Sequence, residues 1–179
     1  MTQIVRNGGK IYTLAGKIIN TNEKYEDKYI FRKMTNNKIE ITLCKILMQN
    51  PHKNIVKIYK LNEPDIVNGT AGHIDMELLN TDLINIDIST IRNIMQEVKI
   101  FLQGIGIMYI DWKPDNIGLS DDGEIKIFDL DASGLINIKT NKWIINPDNY
   151  YSYRIAIQAG YTEPNEIDDY SFDIGLHPW

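Results

Sequence analysis

Apolar side chains recur along this chain in two periods. Between residues 88 and 105 they fall at Ile91, Ile94, Met95, Val98, Phe101 and Leu102, the three- and four-residue spacing of a helix with one buried face. Ser89 stands at the start of that run and is expected to cap it. A shorter helix is expected over residues 37–48. Residues 2–6, 10–20 and 28–34 read as strands, interrupted by turn-rich stretches at Asn7-Gly8-Gly9 and over residues 21–27. Strands near 55–61 and 73–78 complete a small sheet. Residues 117–128 read as two strands around Asp122-Gly123, the strongest short-range hairpin signal. A two-residue loop at 122 and 123 would set Asn116 opposite Asp129, with Cβ atoms about 4.5–5.5 Å apart. Residues 132–165 are poorly patterned apart from a short helix near 150–158, and residues 168–176 read as a final helix. This order of elements predicts an α+β chain.

Composition narrows the classes. At 179 residues the chain is one compact domain, or two small lobes sharing a cleft. Its 43% hydrophobic and 24% charged content is ordinary for a soluble globular protein. A formal net charge of −5 argues against nucleic acid or an anionic membrane as the main partner. No apolar run approaches the roughly 18 residues a membrane span needs, and the amino terminus lacks a signal-peptide pattern. Cys44 is the single cysteine, which excludes an intramolecular disulfide and predicts a reducing, intracellular location. Abundant Ile, Asn and Lys fit an AT-rich coding genome, such as that of a large DNA virus or protist.

The candidate chemistry gathers at Asp111-Trp112-Lys113-Pro114-Asp115-Asn116 and, beyond the hairpin, at Ile127-Phe128-Asp129. A carboxylate beside an amide carbonyl is an oxygen-rich pair suited to a hard cation such as Mg²⁺, which makes Asn116 and Asp129 candidate metal ligands. Asp111 and Lys113 lie on the loop before them, after the apolar run 105–110. Polar residues at the mouth of buried strands are disproportionately functional. Each taken alone also has a structural reading, as a turn former or a strand cap.

The spacing Asp-x-Lys-Pro-x-Asn, followed after a hairpin by Ile-x-Asp, resembles the catalytic loop and metal-binding segment of protein kinases. Tyr109-Ile110-Asp111 stands where that family has His-Arg-Asp, and Asp129-Leu130-Asp131 where it has Asp-Phe-Gly. Upstream, the stretch from Glu40, with residues 51–59 after it, looks like the family's regulatory helix and following strand. The stretch His73 to Leu78 looks like the strand leading into the inter-lobe hinge, with Met76, Glu77 and Leu78 as nucleotide contacts. Downstream, Asp168 to Gly175 resembles the helix that anchors the catalytic loop from below. The resemblance covers most of the chain in the right order.

It implies a two-lobed fold, with residues 1–79 as a β-rich amino-terminal lobe and 80–179 as a truncated, mainly helical second lobe. It implies ATP and Mg²⁺ as cofactors and Ser/Thr-type phosphoryl transfer to a protein substrate. A partner protein that completes the second lobe is part of that expectation. In this scheme Asp111 serves as catalytic base, Lys113 steadies the transferring phosphate, and Glu40 pairs with a phosphate-binding cation. Strand alternation lets only one of Arg32 and Lys33 supply that cation. Glu40 also stands at capping-box spacing from Asn37, a competing role. The phosphate loop falls on Gly8-Gly9, with Ala15-Gly16 as an alternative.

Several positions depart from the family pattern. Gly118 stands where a large apolar residue usually underlies the adenine. Ile110 removes the arginine that usually receives a phosphorylated activation loop. Asp131 replaces a glycine and adds a carboxylate near the metal ligands. These departures keep open a pseudokinase used as a binding module. Asp129-Leu130-Asp131 keeps open a small-molecule kinase of the aminoglycoside or choline type.

Overall fold

The computed structural model describes residues 10–12, 18–20, 24–25, 28–65, 67–83, 86–147 and 150–177. The expected strand over residues 2–6, the glycines Gly8 and Gly9, and the alternative Ala15-Gly16 lie outside them. Strands β1 (Lys10–Tyr12) and β2 (Ile18–Asn20) pair antiparallel. After them come β3 (Lys24–Tyr25), β4 (Lys28–Thr35), helix α1 (Lys38–Gln49), β5 (Ile58–Asn62) and β6 (Gly72–Glu77). The last four strands of this part form an antiparallel sheet in the order β3-β4-β6-β5.

Helix α1 starts where an Asn supplies the side-chain acceptor that a helix amino terminus lacks. Asn37 Oδ1 accepts from the Ile39 and Glu40 amides at 2.9 and 3.2 Å. Leu43, Cys44 and Leu47 then fall on one buried face. The strand expected from residue 55 begins only at Ile58. The stretch before it is spent on the later hairpin instead: Val56 N donates to Ile127 O, and Ile127 N donates to Asn54 O.

The second half holds α2 (Ile88–Gly104), β7 (Ile107–Met108), β8 (Ile117–Leu119), β9 (Ile125–Ile127), β10 (Gly134–Asn137), β11 (Lys142–Ile145), α3 (Tyr151–Gln158) and α4 (Pro164–Gly175). Three corrections to the sequence reading arise here. Asp87, not Ser89, caps α2, its Oδ1 accepting from the Ser89 and Thr90 amides. α4 begins four residues before Asp168, because Pro164 has a φ suited to the first helical turn and no amide to leave unpaired. The stretch that lacks pattern contains β10 and β11, which join β7 in the order β11-β10-β7. These strands are four residues long and their register shifts between Leu135 and Ile136, so no clean alternation survives.

The hairpin register also differs from expectation. Ser120 N donates to Glu124 O and Gly123 N to Ser120 O, closing a three-residue loop with Gly123 at φ +80°. A type I turn followed by a left-handed glycine makes such a loop, and the sequence signal for it overlaps that of the two-residue turn. The ladder therefore pairs Ile117 with Ile127 and Leu119 with Ile125. Asn116 lies opposite Phe128, whose amide donates to the Asn116 carbonyl at 3.0 Å, and Asp129 falls one residue beyond.

Among the described residues the architecture is mixed, with a β-rich amino-terminal part and four α-helices. The main core joins α1, β6, α2 and the β8–β9 hairpin through Leu43, Ile74, Met95, Val98, Leu102 and Ile117. A second cluster of Met108, Ile110, Ile136, Ala156 and Ile167 joins β7, β10, α3 and α4. The segment between β7 and β8 runs between these two bodies of apolar side chains.

Candidate functional site

Strand alternation sends Arg32 and Lys33 to opposite faces of β4. Arg32 meets its cross-strand neighbour Asp75, with Nε and Nη2 donating to the two carboxylate oxygens at 2.6 and 2.8 Å. Lys33 Nζ donates to Glu40 Oε1 at 2.7 Å and to Asp129 Oδ1 at 2.6 Å, and lies 3.5 Å from Asp131 Oδ2. Of the two candidate cations, Lys33 is therefore the one joined to Glu40 and Asp129. Glu40 does not close a capping box. The Asn37 amide donates to Thr35 Oγ1, while the Glu40 carboxylate reaches Lys33 and leaves Oε2 buried without a hydrogen-bond partner.

The Asp129 end of this cluster is set by backbone. Asp129 has φ +66°, in the left-handed region that costs a non-glycine residue energy and is tolerated where surroundings fix it. Asn37 Nδ2 donates to the Asp131 carbonyl at 3.2 Å, so the residue that caps α1 also holds this turn. The buried Ser133 hydroxyl donates to Tyr109 O at 3.0 Å, and the Tyr109 hydroxyl donates to Phe128 O.

The Asp111 loop is held from below. Ile110 has φ +67°, a true outlier for a β-branched residue. Its amide donates to Asp168 Oδ1 at 2.9 Å, an oxygen that also accepts from Trp112 Nε1 at 2.7 Å. Asp168 Oδ2 accepts from Gln103 on α2 at 2.9 Å, and the carboxylate is fully buried. Trp112 packs edge-on against Phe172 with centroids 5.0 Å apart. Gly175 lets α4 press against it, since a Cβ there would lie 1.6 Å from the Trp112 carbonyl oxygen.

Above this support, Asp111 presents its two oxygens to different partners. Oδ2 accepts from Lys113 Nζ and from Asn116 Nδ2, the latter at 2.9 Å. Asn116 Nδ2 also reaches the Asp111 carbonyl at 3.0 Å. Oδ1 accepts from the Ser152 hydroxyl on α3 at 3.0 Å. Two residues earlier, Tyr150 lies near the Asp131 carboxylate, and its pKa is pushed up to about 12 by burial and by that carboxylate.

The electrostatics follow from crowding. Burial works against a charged Lys33, but Asp129, Glu40 and Asp131 outweigh it and hold its pKa above the ordinary lysine value. Burial likewise opposes ionisation of Asp129, and the Lys33 charge overcomes it, leaving Asp129 below the usual carboxylate range. Asp131 is pushed up to about 6, by burial first and then by Asp129 and Glu40, against the pull of Lys33. The buried Cys44 thiol is driven up by burial and by the nearby Glu40. An inert, protonated thiol results.

The structure thus brings together Lys33, Glu40 and Asp129, and separately Asp111, Lys113 and Asn116. Arg32 stays outside with Asp75. Met76 and Leu78 are buried, and the Glu77 carboxylate accepts from Lys126 Nζ at 2.8 Å and from the Lys57 amide at 3.3 Å. Gly118 has a steric reason, because a Cβ there would come within 2.8 Å of Leu79 Cβ and 3.1 Å of the Asn80 carbonyl. Among the described residues no three His, Cys, Asp or Glu side chains are arranged to hold a metal ion by themselves. The side-chain oxygens of Asp129, Asp131 and Asn116 are of the hard type that magnesium takes. That ion takes one or two carboxylates and completes its shell with water and phosphate oxygens.

Ser152, Tyr150 and Trp112 were not singled out as site residues by sequence reasoning. An indole beside the Asp111 motif was a weak local signal for Trp112. Ser152 offered none, since its contact spans 41 residues. The chain matches no protein-family model and no curated protein sequence, so the site stands on its own geometry.

Proposed function

We propose that this chain is an ATP- and Mg²⁺-dependent phosphoryl transferase of the protein kinase-like type, acting on Ser or Thr hydroxyls of a protein. The two-lobed arrangement, with residues 1–79 and 80–179 flanking the site, belongs to this reading. The observation that carries it is a pair of clusters, Lys33 fixed between Glu40 and Asp129, and an Asp111 carboxylate oriented by Lys113 and Asn116.

In this mechanism Lys33, held by Glu40, supplies positive charge for nucleotide phosphates. Asp111 orients the acceptor hydroxyl through Oδ1 and takes its proton there. Lys113 steadies the charge that builds on the transferring group. Asn116 and Asp129 would hold Mg²⁺, whose chemistry is to neutralise charge on the phosphate oxygens.

The Asp129→Asn variant is expected to lose Mg²⁺-dependent transfer of labelled phosphate from ATP to Ser/Thr protein substrates. Undiminished transfer would overturn the assignment. A second reading, a pseudokinase serving as a binding module, is favoured by the internal partners that Lys33 and Asp111 already have in Asp129 and Ser152. Thermal shift with ATP, with and without Mg²⁺, separates the two. No shift and no transfer to protein, alcohol or sugar acceptors supports the module.

A further inference from the structure

We propose that Ser152 is the chain's own phosphoacceptor, modified in cis by the site it contacts. The inference rests on the phosphotransfer reading above.

A general base must lie within hydrogen-bond reach of the proton it removes, about 2.6–3.2 Å between heavy atoms. Ser152 Oγ donates to Asp111 Oδ1 at 3.0 Å. The other oxygen of Asp111 is committed to Lys113 and Asn116, so Oδ1 is the one offered to a hydroxyl. The contact is a held one. α3 carries Ala156 into the second core cluster, and Tyr153 packs edge-on against Trp143 at 6.4 Å. Tyr150, just before the helix, lies near the Asp131 carboxylate. Two side chains of one short stretch thus meet two carboxylates of the site. Ser152 is half-buried, so it is shielded and still borders solvent.

The step balances with a nucleoside triphosphate as donor. Ser152 Oγ bonds to the γ-phosphorus, and the bond from that phosphorus to the bridging oxygen breaks. The nucleoside diphosphate leaves with the electron pair, and the hydroxyl proton passes to Asp111 Oδ1 and on to solvent. The product carries a charge of about −1.5 to −2 at neutral pH next to Asp111, so like-charge repulsion favours withdrawal of the first turn of α3.

The test uses the full chain, treated with phosphatase and then incubated with Mg²⁺-ATP alongside a mixture of Ser/Thr peptides. Peptide mapping by mass spectrometry reads each phosphosite, and the rate is followed across a range of protein concentrations. The expected result is one phosphate per chain on Ser152, appearing at a rate independent of concentration. Ser152→Ala is expected to lose that phosphate and Ser152→Thr to retain it. Labelled peptides with an unmodified Ser152 would overturn the proposal while leaving the phosphotransfer reading intact. A rate at Ser152 that rises with protein concentration would overturn the cis step. Label on neither peptide nor chain would overturn both.

Discussion

Asp168 shows how much one buried carboxylate can organise. It satisfies the amide of a left-handed Ile110, the Trp112 indole and the Gln103 amide, two of them through a single oxygen. A buried donor left without a partner costs about 1–3 kcal/mol. Asp168→Ala, which strands the Ile110 amide and the Trp112 indole and leaves Gln103 with Asp169 alone, is expected to lose about 3–5 kcal/mol, and Asp168→Asn, which keeps an acceptor oxygen, distinctly less. Urea unfolding midpoints of the two variants check this, and equal losses would contradict the account. At this scale the sequence was readable where the interaction is local. Asn37 as a cap follows from its place at the start of the helical pattern. The choice of Lys33 over Arg32 was not readable. It depends on β4 pairing with β6 so that Arg32 faces Asp75, a register fixed by residues forty-three positions away.

The element that most constrains the site is the β8–β9 hairpin. It is tied on one side to Asn54–Val56, where the Asn54 carboxamide also donates to Ile125 O at 2.8 Å, and on the other to Asn80 by paired backbone bonds with Leu119. Gly118 is the residue that permits the second contact. Gly118→Val is expected to destabilise the protein by about 1–3 kcal/mol, as overpacking does, and to speed amide exchange at Asn80 and Leu119. Hydrogen exchange read by mass spectrometry or NMR would reveal unchanged protection there if the account were wrong. The hairpin itself was visible in the sequence, yet its register was misplaced by one residue, because Asp-Gly serves both two- and three-residue loops. β10 and β11 were missed for a different reason. Short strands interrupted by a bulge lack the alternation that betrays longer ones.

Across the whole molecule the amino-terminal sheet and the later hairpin meet through a cluster of one cation and three carboxylates: Lys33, Glu40, Asp129 and Asp131. Its members respond to pH in opposite senses. Asp129, held low, contributes stability present above the unfolded carboxylate pKa and lost as pH falls through its native value. Asp131, near 6 in the folded state against 3.8 when free, contributes stability present in acid and lost as pH rises through 6. In metal-free buffer at pH 7–8, Asp131→Asn is therefore expected to be more stable than the unmodified chain by about 1–2 kcal/mol, the full shift being reduced by partial solvent exposure. That difference should close toward pH 4, and thermal melts across the range check it; a constant gap would contradict the assignment. Long-range ties of this kind leave little trace in a one-dimensional pattern, and the family-like order of motifs was the only guide to them. Asn37 adds a quieter tie. Its side-chain oxygen belongs to the start of α1 and its side-chain nitrogen to the turn at Asp131, two jobs that an ionised aspartate cap, having no donor, could not combine. The amide acts as a latch with two faces. Loosening the acidic turn leaves the helix start intact, so that turn is free to rearrange while α1 keeps Glu40 in place.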